Sequence, residues 1–349
     1  MGFSEDLISW YDKNKRSLPW RETREPYIRW ISEIILQQTR IDQGTAYYHN
    51  FLESFQTIDL LAAAEEHVVL KLWEGLGYYS RARNLHKTAK IISENMNGHF
   101  PEKYVDLLKL PGVGPYTASA LASICFNEIQ PTIDGNVYRF LSRYLGIKEA
   151  INSSKAYKIF HAYALNLISP KRPGDFNEAM MEFGALVCKK KPTCEECPFH
   201  RECFAFSNKK VNEFPNKTKK PKKKKRYLHF LFLEKENRIL LEKRVAEDIW
   251  FHLYQFPLLE LNEKQQVFNE LQHSSNKKLT QNSIVLIHEE KHLLTHQELY
   301  ISIYGVKSTQ LYSHFLNKSN IFEIEAMEII ENYSLPKPLK KFINLYYGN

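Results

Sequence analysis

Two carboxylates and four thiols are the groups of this chain best placed by type and spacing to do chemistry. Glu33 lies inside residues 27–38, YIRWISEIILQQ, a helical pattern that is apolar nearly all round. Trp30 stands three residues before it and Leu36 three after, so the carboxyl falls on an apolar stripe. One reading is a charged residue at the rim of a buried helix. The other is a general acid, since burial disfavours the ionised form and leaves a proton available near neutral pH. A second carboxylate, Asp134, occurs in Ile133-Asp-Gly-Asn-Val137 and would face a developing cation. Gly135 there predicts a turn and Asn136 a helix start. Cys188, Cys194, Cys197 and Cys203 follow the spacing C-x5-C-x2-C-x5-C. Four thiolates so close make a soft-ligand metal site. With a single C-x-x-C knuckle, spacing alone fits zinc and iron–sulfur equally. The fifth cysteine, Cys125, reads as a core residue.

These groups need rigid supports. The stretch Leu110-Pro-Gly-Val-Gly-Pro-Tyr-Thr117 reads as two helices joined by a tight hairpin. Pro111 stops the first, Gly112 and Gly114 relax the backbone on either side of Val113, and a second helix starts at Pro115. Unpaired N–H groups at that start would suit a phosphate. Residues 3–13 form an amphipathic helix, Leu18-Pro19-Trp20-Arg21 a proline-set entry, and residues 41–100 and 153–187 further helices. Within 41–100, Trp73-Glu-Gly-Leu-Gly-Tyr-Tyr-Ser-Arg81 combines glycines, tyrosines and an arginine. With Arg40 and Arg83 that composition suits DNA contact as well as a helix junction. Glu178, in Phe176-Asn-Glu-Ala, reads as a surface charge on composition alone.

The 349 residues allow two domains, and 43% apolar with 25% charged residues is a globular balance. A net charge of +8 and pI of about 9.0 make a polyanionic partner plausible. The start, MGFSEDLISW, lacks the basic and apolar regions of a signal peptide, and no run of about 18 apolar residues offers a membrane span. A cytoplasmic, reducing setting is therefore expected, with no membrane partner.

Residues 207–226 carry ten basic residues, one acid and two prolines, the composition of a solvated linker. From Tyr227 the pattern alternates as in strands, with a hairpin at Lys235-Glu-Asn-Arg238. A strand at Glu298–Val306 and a closing helix at Leu339–Tyr347 complete a mixed α/β region.

Several of these motifs resemble known families. The hairpin followed by Asp134 resembles the helix-hairpin-helix superfamily of base-excision DNA glycosylases. Ser32-Glu-Ile-Ile-Leu-Gln-Gln-Thr-Arg40 and Gly75-Leu-Gly-Tyr-Tyr79 resemble its MutY-type adenine DNA glycosylases. The resemblance is strongest over residues 18–205. It implies a multidomain chain: an all-α glycosylase region at 1–206 carrying a [4Fe–4S] cluster loop, then an α+β Nudix-like domain. That region would hold a six-helix unit (about 20–130) and an iron–sulfur domain built from 1–19 and 131–206. The linker at 207–226 would lead to an 8-oxoguanine-recognition domain at 227–349.

By the same resemblance, Glu33 protonates an extruded adenine, and Asp134 stabilises the sugar cation electrostatically or through a covalent adduct. Tyr116 and Asn136 position them. Gly112 and Gly114 hold the DNA backbone, Gln38 enters the base stack, Tyr78 lies beside the damaged base, and Arg21 and Glu178 bind the adenine. The four cysteines hold the [4Fe–4S] cluster, although their first gap is five residues where the family has six. Related lyases place a nucleophilic lysine at the hairpin position occupied here by Tyr116, and no lysine lies between Lys109 and Lys148. Base removal without strand cleavage is expected. Thr295 and His296, in Leu294-Thr-His296, correspond to the family's Phe-Ser-His reader of 8-oxoguanine, while no Nudix catalytic box is present. The expected substrate is double-stranded DNA bearing adenine opposite 8-oxoguanine or guanine. The chain is expected to act as a monomer, with its linker open to other repair proteins.

Overall fold

A computed structural model describes residues 2–219, 221–262, 266–275 and 280–348. The chain divides into two units, one of Met1–Ala64 with Arg83–Lys219, the other of Glu65–Ala82 with Lys220–Asn349. From the start to residue 207 the elements are helical: α1 (Phe3–Asn14), α2 (Pro26–Ile35), α3 (Ile41–Ser54), α4 (Ile58–Ala63), α5 (Glu66–Leu72), α6 (Ser80–Met96), α7 (Tyr104–Leu107), α8 (Pro115–Phe126), α9 (Gly135–Leu145), α10 (Ala156–Leu167), α11 (Pro173–Leu186) and α12 (Phe204–Ser207). Among the described residues no helix is long and apolar enough to cross a membrane.

Local chemistry sets the ends of the helices that matter most. Glu25 caps α2 by accepting from the N–H groups of Tyr27 and Ile28, and Pro26 occupies its first turn. The helix is shorter than the pattern over 27–38 predicts. The amide of Thr39 returns to the Leu36 carbonyl at 3.2 Å, and Gln38 takes a left-handed φ of 60°. Gln38 thus lies on a turn. α8 starts at Pro115 and ends where Asn127 turns left-handed. Asp134 itself caps α9, so that helix begins one residue earlier than the expected start at Asn136.

In the first unit, Leu7 and Tyr11 of α1 pack with Val137 and Phe140 of α9, Phe160 of α10 and Phe176 and Phe183 of α11. Close approach of α11 to α9 depends on Gly184. A Cβ there would lie 2.7 Å from Asn136 Cβ and 2.8 Å from its carbonyl oxygen. The basic stretch 207–226 is not solvated throughout. Phe214 is buried, Arg143 Nε donates to the Val211 and Phe214 carbonyls, and Asn216 accepts from the Ile151 amide at 3.0 Å. Its last residues, from Lys224, already belong to a strand.

The second unit is built on a mixed sheet of β1 (Lys224–Lys235), β2 (Arg238–Lys243), β3 (Tyr254–Gln255), β4 (Leu258–Glu260), β5 (Ile284–Leu293), β6 (Gln297–Val306) and β7 (Ile321–Glu325). Its helices are α13 (Gln266–Ser275), α14 (Thr309–Leu316), α15 (Glu328–Asn332) and α16 (Lys337–Tyr347). The strand order is β3-β2-β1-β6-β5, with β4 on β1 and β7 on β2. β1 runs parallel to β6 from Lys224↔Gln297 to Leu233↔Val306. The β1–β2 hairpin turns at Glu236 and Asn237, both with positive φ, as a tight two-residue connection requires. Successive β1 side chains point to opposite faces. Phe230 and Phe232 pack with Leu339 and Phe342 of α16, while Leu231 and Leu233 pack with Leu271 of α13 and Leu311 of α14.

The segment 65–82 belongs to this second unit although it comes from the middle of the helical sequence. Lys71 Nζ donates to the Ile330 and Tyr333 carbonyls. Glu74 accepts from the Leu335 amide at 3.1 Å and pairs with Lys340.

Candidate active site

Glu33 lies on the inner face of α2 and is 7% exposed. Tyr116, on the first turn of α8, donates from its hydroxyl to Glu33 Oε2 at 2.7 Å and also reaches Met181 Sδ at 3.4 Å. Burial pushes the Glu33 carboxyl up, and the negative charges of Glu178 and Asp134 add to this. Arg29 and the Tyr116 hydroxyl work the other way. The Tyr116 phenol is raised well above its ordinary value, first by burial and then by Glu33 and Asp134, so it stays a donor.

Asp134 uses its carboxylate as a helix cap. Oδ1 accepts from the amides of Asn136 and Val137 at 2.9 and 2.7 Å, and Oδ2 from Asn136 Nδ2 at 2.8 Å. Burial lifts this carboxyl too, and those three donors and Arg139 oppose the rise. The two acids therefore differ in kind. Glu33 receives one hydroxyl, whereas Asp134 receives three N–H bonds that favour its ionised form. Arg139 supports the cap from below, donating to Asn136 Oδ1 at 2.9 Å and to the Gly184 and Cys188 carbonyls at 2.6 and 2.7 Å.

Glu178 is not a surface charge. It is 8% exposed and accepts from Arg29 Nη2 at 2.7 Å and from the Tyr11 hydroxyl at 3.0 Å. Composition treats every carboxylate as solvated, but here partners on α1 and α2 meet it inside. Arg21 Nε lies 3.7 Å from Glu178, while its two Nη atoms grip Glu182 at 3.1 and 2.9 Å. Arg16 adds bonds to Glu182 from its backbone amide, Nε and Nη2. Glu182 is 1% exposed. Burial alone would lift it, yet the two guanidiniums and the amide hold it down at about 2. Sequence reasoning missed Arg29, Glu182, Arg16 and Tyr11. A signal existed: Arg29 is a second charge in an apolar helix four residues before Glu33, and Glu182 follows Glu178 by four.

The hairpin places Gly112 at a φ of 74°, and a Cβ there would meet Asn84 Cβ at 2.6 Å. Gly114 differs from expectation. Its φ is −86°, which any residue adopts, and a Cβ on it would meet nothing within 4 Å. What glycine leaves at 114 is open space beside the first turn of α8. Gln37, not Gln38, points inward, donating to Thr117 Oγ1 at 3.1 Å.

The four cysteines are not in disulfides and line one cavity together with Phe140, Phe183, Phe199, Phe206 and Arg143. Arg143 Nη1 points at Cys188 Sγ from 3.5 Å. The donor set is four sulfurs in an apolar wall with one cation to offset thiolate charge, which fits a soft, anionic cluster. Among the described residues no His, Cys, Asp or Glu group is arranged around a single metal ion. Cys125, half-buried near the end of α8, has its thiol pushed up to about 12, chiefly by burial.

In the second unit, Tyr78 is exposed and left-handed with a φ of 49°, and its hydroxyl meets the Thr295 hydroxyl. Thr295 and His296 form the exposed turn between β5 and β6, where the Leu294 amide donates to the Gln297 carbonyl at 2.9 Å and Lys224 N donates to the His296 carbonyl. Arg81 stacks over Trp73 and Tyr78 at 4.9 and 5.8 Å.

Residues 31–164 match the family model described as HhH-GPD superfamily base excision DNA repair protein, and residues 228–345 match the NUDIX domain model. An adenine DNA glycosylase of Buchnera aphidicola subsp. Baizongia pistaciae is 36% identical over 98% of this chain and 95% of its own length. The human adenine DNA glycosylase is 42% identical over 58% of this chain and 39% of its own. A thermostable thymine-DNA glycosylase superposes with a TM-score of 0.55 at 27% identity, covering 59% of this chain and 95% of its own. Endonuclease III bound non-covalently to DNA superposes with a TM-score of 0.51 at 21% identity over 60% of this chain and 99% of its own, a likeness of fold alone. Matched along almost its whole length, this chain belongs to the adenine DNA glycosylase family and is a DNA N-glycosylase, a hydrolase of base excision repair.

Proposed function

We propose that this enzyme removes adenine paired with 8-oxoguanine or guanine in duplex DNA and leaves the strand uncut. The observation that carries the chemistry is the buried Glu33 carboxyl, held by the Tyr116 hydroxyl at 2.7 Å within the electrostatic reach of Asp134. The adenine leaves the duplex because its reactive atoms are inaccessible in the stack. Glu33 gives its proton to N7, making adenine a neutral leaving group. The C1′–N9 bond breaks as the sugar gains oxocarbenium character, Asp134 faces that charge while Asn136 holds its carboxylate, and water adds its oxygen to C1′ and releases a proton. Arg21 and Glu178 meet the displaced base.

The remaining assignments follow the same reading. Gly112 and Gly114 bring the α8 start to a DNA phosphate, the open space at Gly114 favouring close approach. Gln38 fills the stack, and Tyr78, Thr295 and His296 read the opposite base. Cys188, Cys194, Cys197 and Cys203 hold a [4Fe–4S] cluster, which steadies the loop 188–203 and presents Lys189, Lys190 and Lys191 to DNA. The monomer works in the cytoplasm, and residues 207–226 join a catalytic region of two helical subdomains to the reading domain.

The test is single-turnover excision on adenine opposite 8-oxoguanine, beside adenine opposite cytosine and thymine glycol opposite adenine. Release from the first alone, with the strand intact until alkali is added, is expected. Glu33→Gln is expected to abolish release and spare binding. Excision surviving in that variant would sink the general-acid assignment, and cutting at thymine glycol would sink the substrate assignment.

A further inference from the structure

Arg29 stands four residues before Glu33 on α2, so both side chains share one buried face. A buried guanidinium beside a buried carboxyl ordinarily closes a short ion pair and holds the acid ionised. That would leave Glu33 with no proton to give. Here the pair stays open: Arg29 Nη2 comes no nearer than 3.9 Å to Glu33 Oε1. The guanidinium is engaged elsewhere, Nη2 with Glu178 Oε1 at 2.7 Å and Nη1 with the Trp20 carbonyl at 2.6 Å. Glu178 is in turn fixed by the Tyr11 hydroxyl on its other oxygen, with Arg21 Nε 3.7 Å away.

We propose that Glu178 is a positioning residue for the general acid, drawing Arg29 away so that Glu33 keeps its proton until the base arrives. This rests on the reading of Glu33 as that acid. The groups facing Glu33 are few. Arg29 lies on its own helix, Tyr116 on α8 with Cys125 at that helix's far end, Asp134 at the cap of α9, and Glu178 with Met181 on α11. Arg29 is the cation among them, and Glu178 is the carboxylate that competes for it. The arrangement is a choice between two acids made by one guanidinium.

The variant Glu178→Gln keeps the shape and a weak acceptor but removes the competing charge. Arg29 then neutralises Glu33 more fully. In saturating single-turnover excision, the limb on which Glu33 loses its proton should move down by about one pH unit, a tenfold loss of rate above it. Adding Arg29→Gln to Glu178→Gln should bring the limb back up, because the cation itself is gone. A merely structural role lowers the rate at every pH and is not reversed by the second change. DNA-free enzyme supplies a second readout, the infrared carboxyl band of Glu33 identified by subtraction of the Glu33→Gln spectrum. Its titration should shift in the same order. An unmoved limb and band in Glu178→Gln would overturn the inference while the inactivity of Glu33→Gln still supported the acid. An active Glu33→Gln would overturn the acid itself, whatever the band does.

Discussion

The Tyr116 hydroxyl and the Glu33 carboxyl, 83 positions apart in sequence, are joined by a 2.7 Å hydrogen bond. The bond lowers the cost of ionising Glu33 and fixes its direction. Tyr116→Phe removes the donor while keeping the ring in place. The limb set by Glu33 is expected to move to higher pH, because a force favouring the carboxylate is lost. The plateau rate should fall by about tenfold, equivalent to ~1.4 kcal/mol of misplaced orientation. Single-turnover rates across pH measure both, and a limb that stays put would show that the hydroxyl does not act on Glu33.

Glu182 makes a prediction about stability. Its carboxyl drops from the ordinary glutamate value of 4.5 to about 2 on folding, held down by Arg16 and Arg21. A depressed carboxylate contributes stability that is fully present above about 4.5 and is lost as pH falls towards 2. The shift corresponds to about 3 kcal/mol. Glu182→Gln should lower the unfolding free energy at pH 7 by about 3 kcal/mol and flatten its fall across that window. Urea melts at several pH values check this.

Gly184→Ala tests the contact between α11 and α9. The added methyl group must displace the Asn136 backbone or α11 itself. A loss of about 1–3 kcal/mol is expected, with slower excision, since Asn136 holds Asp134. Alanine tolerated without change in either quantity would mean that the two helices part freely.

The cysteine loop predicts roughly four iron and four sulfide per chain, with the visible absorption of a [4Fe–4S] cluster. Cys197→Ala should lose that absorption. Zinc in place of iron in protein purified without oxygen would refute the cofactor assignment.

Thr295→Val removes the hydroxyl that meets Tyr78 while keeping the branched shape. Release of adenine opposite 8-oxoguanine should fall towards the rate opposite guanine. Equal losses on both pairs would remove the turn from base reading.

What the chain reveals before folding is what lies close in sequence. Glu33, Asp134, the glycine hairpin and the four cysteines each sit in a short motif whose spacing is itself the signal. The burial of Glu178 is not legible in composition, because its partners, Tyr11 and Arg29, lie 167 and 149 positions away and composition places an isolated carboxylate in water. The inward turn of Gln37 escaped for a different reason. Apolar periodicity runs on through Leu36, whereas the helix ends at Ile35.

One consequence concerns cutting the molecule. Because residues 65–82 leave the first unit and return to it, the chain crosses between units three times: near 64, near 82 and near 219. A protease acting in the basic stretch therefore severs one crossing of three. A gene shortened at residue 219 encodes Lys71 and Glu74 without the carbonyls, amide and lysine that satisfy them. Separating the work of the two units calls for point substitutions, since no single scission divides this protein into two complete units.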